Sequence, residues 1–350
     1  MRIAFFGAGA WGTALAIHAA RRHRVLLWAR SPEQVEAIRM ARVNVRYLPG
    51  VALPETLAVT ASLDEACRWL VADEVAARLD GTPEAPGASA LAVLSTSVAG
   101  MRPVLGELSS RLPGRAGLVW LCKGIERDSG LLPHAIAAEA MPAHAHAVLS
   151  GPSFAQEVAA GLPVALTVAS RSLFLRREVQ QAFHHGAARI YGSDDLIGVE
   201  LGGALKNVMA IAAGACDGLQ LGHNARAALL TRGLAEIARL GVALGARPSS
   251  FTGLSGLGDL VLTCTGDLSR NRRVGLALAQ GRQLAEIVAQ LGHVAEGVPC
   301  AAAALTLAAR HRVELPIVAA VQAVLDGRSS AAEAVRELLA REPRNENEDD

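Results

Sequence analysis

The stretch Arg2-Ile-Ala-Phe-Phe6, followed at once by Gly7-Ala-Gly-Ala-Trp-Gly12 and then by a helical pattern through Ala20, decides the fold. It reads as strand, tight turn, helix. In a Gly-x-Gly-x-x-Gly turn the first glycine lets the chain reverse, the second lets backbone amides approach a pyrophosphate, and the third lets the helix pack on the strand. In this context the motif predicts dinucleotide binding at Gly7, Gly9 and Gly12, with Ala10 and Trp11 in the same turn. The competing reading is a tight βα turn with no ligand. A second strand, Arg24 to Ala29, ends in Arg30-Ser31, where an NAD-selective site usually offers Asp or Glu to the ribose 2′-hydroxyl. A guanidinium there can hold a 2′-phosphate, which favours NADPH, or use of both NADPH and NADH. A solvated loop arginine is the plainer alternative.

Further strands are expected at Ala90–Leu94, running into Ser95-Thr-Ser97, at Gly117–Cys122, running into Lys123-Gly124, at His146–Leu149, at Val164–Ala169 and at Ala188–Tyr191. Strands alternating with helices predict a parallel sheet, and ligands gather beyond the carboxyl ends of its strands. Lys123 is therefore aimed at the cleft. So is the turn Gly151-Pro-Ser153, although Ser153 and Gln156 also have the spacing of a capping box. From Asp194 the alternation stops and long apolar-periodic helical segments take over. The chain is thus expected to be α/β, with an N-terminal Rossmann-like doubly wound sheet (1–190), a C-terminal all-helical domain (191–340) and a polar tail (341–350). Between Cys67 and Ser89 the text turns charged and turn-rich, as expected for a helix plus a surface excursion.

Composition narrows the function. The chain has 350 residues, 51% of them apolar, long enough for two domains with separate cores. Lys+Arg and Asp+Glu number 34 and 33, which argues against a broad nucleic-acid or membrane surface, and 3% aromatic content is too little for a base-stacking platform. No apolar run approaches the length of a membrane span, and no stable membrane insertion is expected. Met1 to Ala20 superficially imitates a signal peptide, but Gly7, Gly9 and Gly12 weaken that reading and Arg21 to Arg24 lie on the wrong side. Five scattered cysteines without a Cys-x-x-Cys pair indicate neither a disulfide framework nor zinc, and no metal is expected.

Arginine supplies nearly all the positive charge, and the two lysines are Lys123 and Lys206. An amine in a dry site can shift toward neutrality and trade a proton, as a guanidinium cannot. Lys206 lies in Val199-Glu-Leu-Gly-Gly-Ala-Leu-Lys-Asn-Val-Met-Ala-Ile-Ala-Ala-Gly214, with Gly202, Gly203, Met209 and Ala210 at helical spacing around it. It reads as a proton-shuttling lysine, or else as one that snorkels to water. The loop Thr252-Gly-Leu-Ser-Gly-Leu-Gly-Asp259 precedes Thr263, and Ser269-Arg-Asn-Arg-Arg273 opens a helix. Three arginines in a first turn oppose the helix dipole unless an anion lies among them. A bound phosphate, with Asn271 and first-turn amides completing its cradle, would supply that anion; screening by Asp267 and water is the alternative. Glu296 falls in an expected loop and carries no independent signal.

Taken together, Gly7–Leu15, Asn44-Val-Arg-Tyr-Leu-Pro-Gly50, Cys122-Lys-Gly124, Ser150-Gly-Pro-Ser-Phe-Ala155, Glu200–Asn207, Gly253–Asp259 and Ser269-Arg-Asn271 closely resemble the bacterial NAD(P)-dependent glycerol-3-phosphate dehydrogenases. The resemblance covers nearly everything but the tail. It implies reversible reduction of dihydroxyacetone phosphate to sn-glycerol 3-phosphate, a phospholipid precursor, in the cytoplasm and as a homodimer. It implies Lys206 as the proton-transfer residue and Lys123, Gly151, Ser153, Asp259, Ser269, Arg270 and Asn271 as substrate contacts, with Thr263 a further candidate. Trp11, Arg30, Lys123, Ala155, Arg270, Val294 and Glu296 match positions touching the nicotinamide cofactor. Ala10 and Gln156 depart from the family's usual serine and lysine, and Ser95-Thr-Ser-Val-Ala99 departs from its usual turn.

Overall fold

Strand β1 (Arg2–Phe6) is buried on both faces: Ile3 and Phe5 enter one apolar cluster, Ala4 and Phe6 the other. That alternation follows from the two-residue period of a strand and requires a covering layer on each side. In the computed structural model, which describes residues 1–72, 90–112, 116–291 and 295–340, helices provide both layers. The other strands are β2 (Arg24–Trp28), β3 (Val43–Asn44), β4 (Leu48–Ala52), β5 (Leu57–Thr60), β6 (Ala90–Leu94), β7 (Gly117–Trp120), β8 (His146–Ser150), β9 (Val164–Ala169) and β10 (Ala188–Ser193). Eight of them form one sheet in the order β10-β9-β8-β7-β6-β1-β2-β5. The order reverses at β1, which pairs with β2 on one side and β6 on the other. A crevice therefore opens beyond the carboxyl ends of β1 and β6, where Gly7 and Ser95 lie.

The sheet is mixed, which corrects the all-parallel expectation. β9 runs antiparallel to β8, and β10 follows β9 in parallel. The link from β8 to β9 explains why. It contains a helix of five residues, Ala155–Ala159, only ~7 Å long. A parallel return needs a crossover with a helix long enough to carry the chain back along the strand. The hairpin of β3 with β4, and β5 as the opposite edge strand, are also additions to the sequence reading. Most of the charged segment between Cys67 and Ser89 lies outside the described residues, as do the tail 341–350 and Val294.

After β10 the described residues are helical, and most of the later helices pack around Leu196–Gly218. This helix has 23 residues, capped by the Asp195 carboxylate, which accepts from the Gly198 amide at 2.9 Å. It is long and apolar enough to cross a membrane, contrary to the expectation that no such run exists, but 89% of its apolar window is buried inside the protein. Small residues allow that burial. A Cβ on Gly214 would sit 1.9 Å from the Arg272 carbonyl oxygen, and one on Gly275 would sit 1.8 Å from that of Ile211. The helix Arg270–Ala279 therefore rests backbone to backbone against it. Glu200 ties the same helix to the sheet side. Its carboxylate accepts from the His134 backbone N–H at 2.8 Å and meets His134 Nδ1 at 2.5 Å, while burial pushes its carboxyl pKa up.

Gly275→Ala should force these two helices apart and destabilise the protein by roughly 1–3 kcal/mol, the range for overpacking a close interface. Denaturant unfolding would check it; an unchanged midpoint would mean that the close approach is not needed.

Candidate active site

Lys206 is carried on the third turn of the long helix, in a stretch whose neighbours leave room for other backbone. A Cβ on Gly202 would lie 2.5 Å from the Ser255 carbonyl oxygen, and one on Gly203 would lie 2.9 Å from Ser150 Oγ and 3.4 Å from the Lys123 stem. The Ser255 segment is a π-helical turn, Leu254–Gly258, where a loop was expected, and it delivers Asp259 as the first residue of the helix Asp259–Thr265. Lys123, beyond β7, and Lys206 thus converge on one carboxylate. Lys123 Nζ donates to Asp259 Oδ2 at 2.6 Å and to the Gly151 carbonyl at 3.0 Å, while Lys206 Nζ donates to Asp259 Oδ1.

Asp259 has no exposed surface and Lys206 is 7% exposed, so the snorkelling alternative fails. Lys206 Nζ also donates to Thr263 Oγ1 at 2.9 Å, and that hydroxyl donates in turn to the Asp259 backbone carbonyl at 2.7 Å. An ammonium carries three donors, so two are fixed and the third is left for a ligand. Burial lowers the Lys206 pKa to about 8, opposed by Asp259 and reinforced by the positive charge of Lys123.

The expected phosphate cradle is only partly available. Arg272 is not free: it pairs with Asp217 at 2.7 Å and with Asp267 at 2.8 Å. Arg273 donates to the Asp267 carbonyl at 3.0 Å. Arg270 is exposed at the first position of its helix and makes no hydrogen bond or salt bridge among the described residues. The charge of Arg272 is thus offset within the protein and the Arg273 side chain is tied to a backbone carbonyl, which leaves Arg270 as the candidate for an external anion. Ser269 caps this helix, accepting from the Arg272 amide at 3.3 Å. Asn271 donates to Asn207 Oδ1 at 2.9 Å and accepts from the Gly297 amide at 3.0 Å.

Glu296 gains a signal that sequence lacked. Burial raises its pKa, against the lowering fields of Arg270, Lys123 and Lys206, which places it within reach of all three charges. Ser153 corrects another expectation: Phe154 occupies the N-cap of the helix Ala155–Ala159, without a side-chain cap, and the Ser153 hydroxyl donates to the Gly151 carbonyl at 3.1 Å.

At the glycine turn, local packing separates the three glycines. Gly7 has φ +126°, and a Cβ there would meet the Ser95 carbonyl oxygen at 2.8 Å; a Cβ on Gly12 would meet Ser95 Oγ at 2.5 Å. Gly9 has nothing nearer than 3.9 Å, so its backbone faces open space, as close approach of a pyrophosphate requires. Trp11 Nε1 is buried without a partner, and Arg30 is exposed at the carboxyl end of β2. An open backbone at Gly9, an orphaned indole donor and an exposed guanidinium fit a dinucleotide. Sequence reading missed the residues that hold this turn. Asn44 Nδ2 donates to the Ala8 carbonyl at 2.9 Å and Thr13 Oγ1 at 2.8 Å, Gln34 donates to the same carbonyl at 3.0 Å, and Ser95 Oγ donates to that of Gly7 at 2.6 Å. Asn44 stands in a segment singled out by resemblance, but nothing local foretold its reach across 36 residues.

Comparison with known proteins identifies the family. Family models described as NAD-dependent glycerol-3-phosphate dehydrogenase N-terminus and C-terminus match residues 2–75 with 69–174, and 195–336. The chain is similar to glycerol-3-phosphate dehydrogenase [NAD(P)+] of Cupriavidus necator, 53% identical over 99% of this chain and 100% of that protein. It is similar to the Paucimonas lemoignei protein of the same description, 54% identical over 99% and 98%. It is also similar to the crystal structure of glycerol-3-phosphate dehydrogenase from Coxiella burnetii, with a TM-score of 0.88 and 38% identity over 97% and 99% of the two chains. By fold and by sequence along almost its whole length, the chain belongs to the NAD(P)-dependent glycerol-3-phosphate dehydrogenase family.

Proposed function

We propose that this oxidoreductase interconverts dihydroxyacetone phosphate and sn-glycerol 3-phosphate, with Lys206 as general acid in reduction and general base in oxidation. The observation that carries the reading is the Lys206 amine, buried, held by Asp259 and Thr263 through two of its donors, and lowered to about 8. A group titrating near the working pH is suited to give and take a proton. In this reading residues 1–190 hold the dinucleotide and residues 191–340 complete the substrate pocket. The protein acts in the cytoplasm as a homodimer and supplies a phospholipid precursor.

Gly7, Gly9, Ala10, Trp11 and Gly12 would hold the pyrophosphate, Arg30 would hold the 2′-phosphate when NADPH is used, and Ala155 and Glu296 would border the nicotinamide side. The reduced nicotinamide, when bound, supplies a hydride to the ketone carbon. Lys206 gives its proton to the ketone oxygen as negative charge develops there, and the neutral amine regains one from solvent. Asp259 and Thr263 fix the direction of the amine. Lys123, held by Asp259 and the Gly151 carbonyl, remains a fixed cation beside the developing oxyanion, and preorganised charge of this kind contributes several kcal/mol. Arg270 grips the phosphate, adding binding energy remote from the reacting carbon. Gly151 and Ser153 border the substrate, with the Asn271 amide and the Ser269-capped first turn completing the cradle.

Lys206→Arg should keep the fold and lower kcat on the order of 100-fold to 10,000-fold, the usual worth of a positioned acid–base group; near-normal turnover would remove the role. Reduction needs the protonated amine, so its rate should fall as pH rises through about 8, while oxidation needs the neutral amine and should rise through the same value. Rates in both directions between pH 6 and 10 decide this, and parallel profiles would contradict it. Arg270→Ala should raise KM for dihydroxyacetone phosphate by ~10–100-fold, the loss of one charge-assisted hydrogen bond, and leave unphosphorylated dihydroxyacetone unaffected. Equal losses on both substrates would overturn the phosphate assignment.

A further inference from the structure

Three helices meet at a knot of polar atoms, and each contributes the residue next to a candidate site group. Asn207 follows Lys206, Asn271 follows Arg270, and Gly297 follows Glu296. The Asn271 side chain joins them, giving Nδ2–H to Asn207 Oδ1 at 2.9 Å and accepting the Gly297 amide on Oδ1 at 3.0 Å. Its orientation is forced, because a flipped amide would set donor against donor at Gly297. Asn271 is 7% exposed and Asn207 6%, so the bonds are shielded from water. The Gly297 amide is a first-turn donor of the helix Gly297–Arg310, whose N-cap residue, Glu296, supplies no side-chain cap. Asn271 takes over that task from another helix. Glycine is required at 297, where a Cβ would lie 2.6 Å from the Asn207 carbonyl oxygen and 2.9 Å from Asn271 Oδ1.

From this geometry we infer that Asn271 is a positioning residue that couples the phosphate end of the site to the cofactor side, so that substrate and nicotinamide cofactor each tighten the binding of the other. A ligand gripping Arg270 fixes the first turn that carries Asn271. Through the Gly297 amide this fixes the start of the helix Gly297–Arg310 and Glu296, which lies within the fields of Arg270, Lys123 and Lys206. Through Asn207 it fixes the turn carrying Lys206. Such coupling is reciprocal, since each ligand selects the same arrangement of the knot. The inference rests on the proposed function and goes beyond a direct substrate contact by Asn271, which would weaken one ligand alone.

Equilibrium binding of NADPH to the full chain, followed by its fluorescence with and without sn-glycerol 3-phosphate, tests it without turnover. In the unaltered protein sn-glycerol 3-phosphate should tighten NADPH ~5-fold or more, within the usual range of coupling between sites. Asn271→Ala should bring that factor close to one. Gly297→Ala, which keeps the Asn271 side chain but crowds the knot, should do the same, and the double substitution should add nothing further. The inference is overturned if the unaltered protein shows no coupling, if Gly297→Ala retains it, or if Asn271→Ala weakens only the phosphorylated ligand and leaves the factor intact. Failure of the unaltered protein to turn over dihydroxyacetone phosphate would instead overturn the proposed function on which the inference rests, so the two failures are separable.

Discussion

A carboxylate with no exposed surface holds both lysines of the chain, one from the sheet side and one from the long helix. Three ionised groups in a dry place are expensive, because each loses its hydration and the two cations repel. The carboxylate offsets that cost with one oxygen for each lysine, and the Gly151 carbonyl and Thr263 hydroxyl accept further bonds. Taking the carboxylate away would strand two ammonium groups in that dry place. This is why Asp259 must arrive at one place from the π-helical turn, and why β7 must end where Lys123 can reach across to the helical part.

The packing that permits this arrangement is made of absences. Gly202 admits the backbone of the Leu254–Gly258 turn, Gly203 admits the stem of Lys123, and Gly214 with Gly275 brings the arginine-bearing helix into backbone contact. Each glycine carries a conformational penalty in a helix of roughly 0.5–1 kcal/mol relative to alanine. The Leu196–Gly218 helix tolerates several because 18 of its 23 residues are buried, and tertiary contacts outweigh intrinsic propensity. A stiff, closely packed helix also fixes the Lys206 amine, and its third donor therefore has a definite direction.

Much of this was legible in the sequence, and the reasons differ by residue. The strand–turn–helix at the start is local, so Gly7, Gly9 and Gly12 announced their environment. Lys206 stood out because the chain otherwise uses arginine and because small residues surround it at helical spacing. Long-range effects were not legible. The antiparallel turn into β9 depends on a helix too short to carry a crossover, a matter of length in space. The arginine argument overcounted because Asp217, 55 residues before Arg272, could not be seen to neutralise it. Glu296 looked idle because its significance lies in cations contributed by three other segments. The cluster of Gln34, Asn44 and Ser95 on the glycine turn was invisible for the same reason: polar side chains that satisfy distant backbone carbonyls leave no periodic trace.

The charges left over support the proposal that this site takes a phosphorylated ligand rather than a carboxylated one. Lys123, Lys206 and Arg270 act on the same region as the carboxylates of Asp259 and Glu296. Asp259 is committed to the two lysines, and at Glu296 burial raises the carboxyl pKa while Arg270, Lys123 and Lys206 act against that rise. Arg270 makes no salt bridge among the described residues, and it sits at a helix N-terminus where the dipole adds further positive potential. A monoanion would balance the guanidinium and leave that potential unmet. A phosphoryl dianion satisfies both, and its three terminal oxygens can engage a forked guanidinium and first-turn amides together.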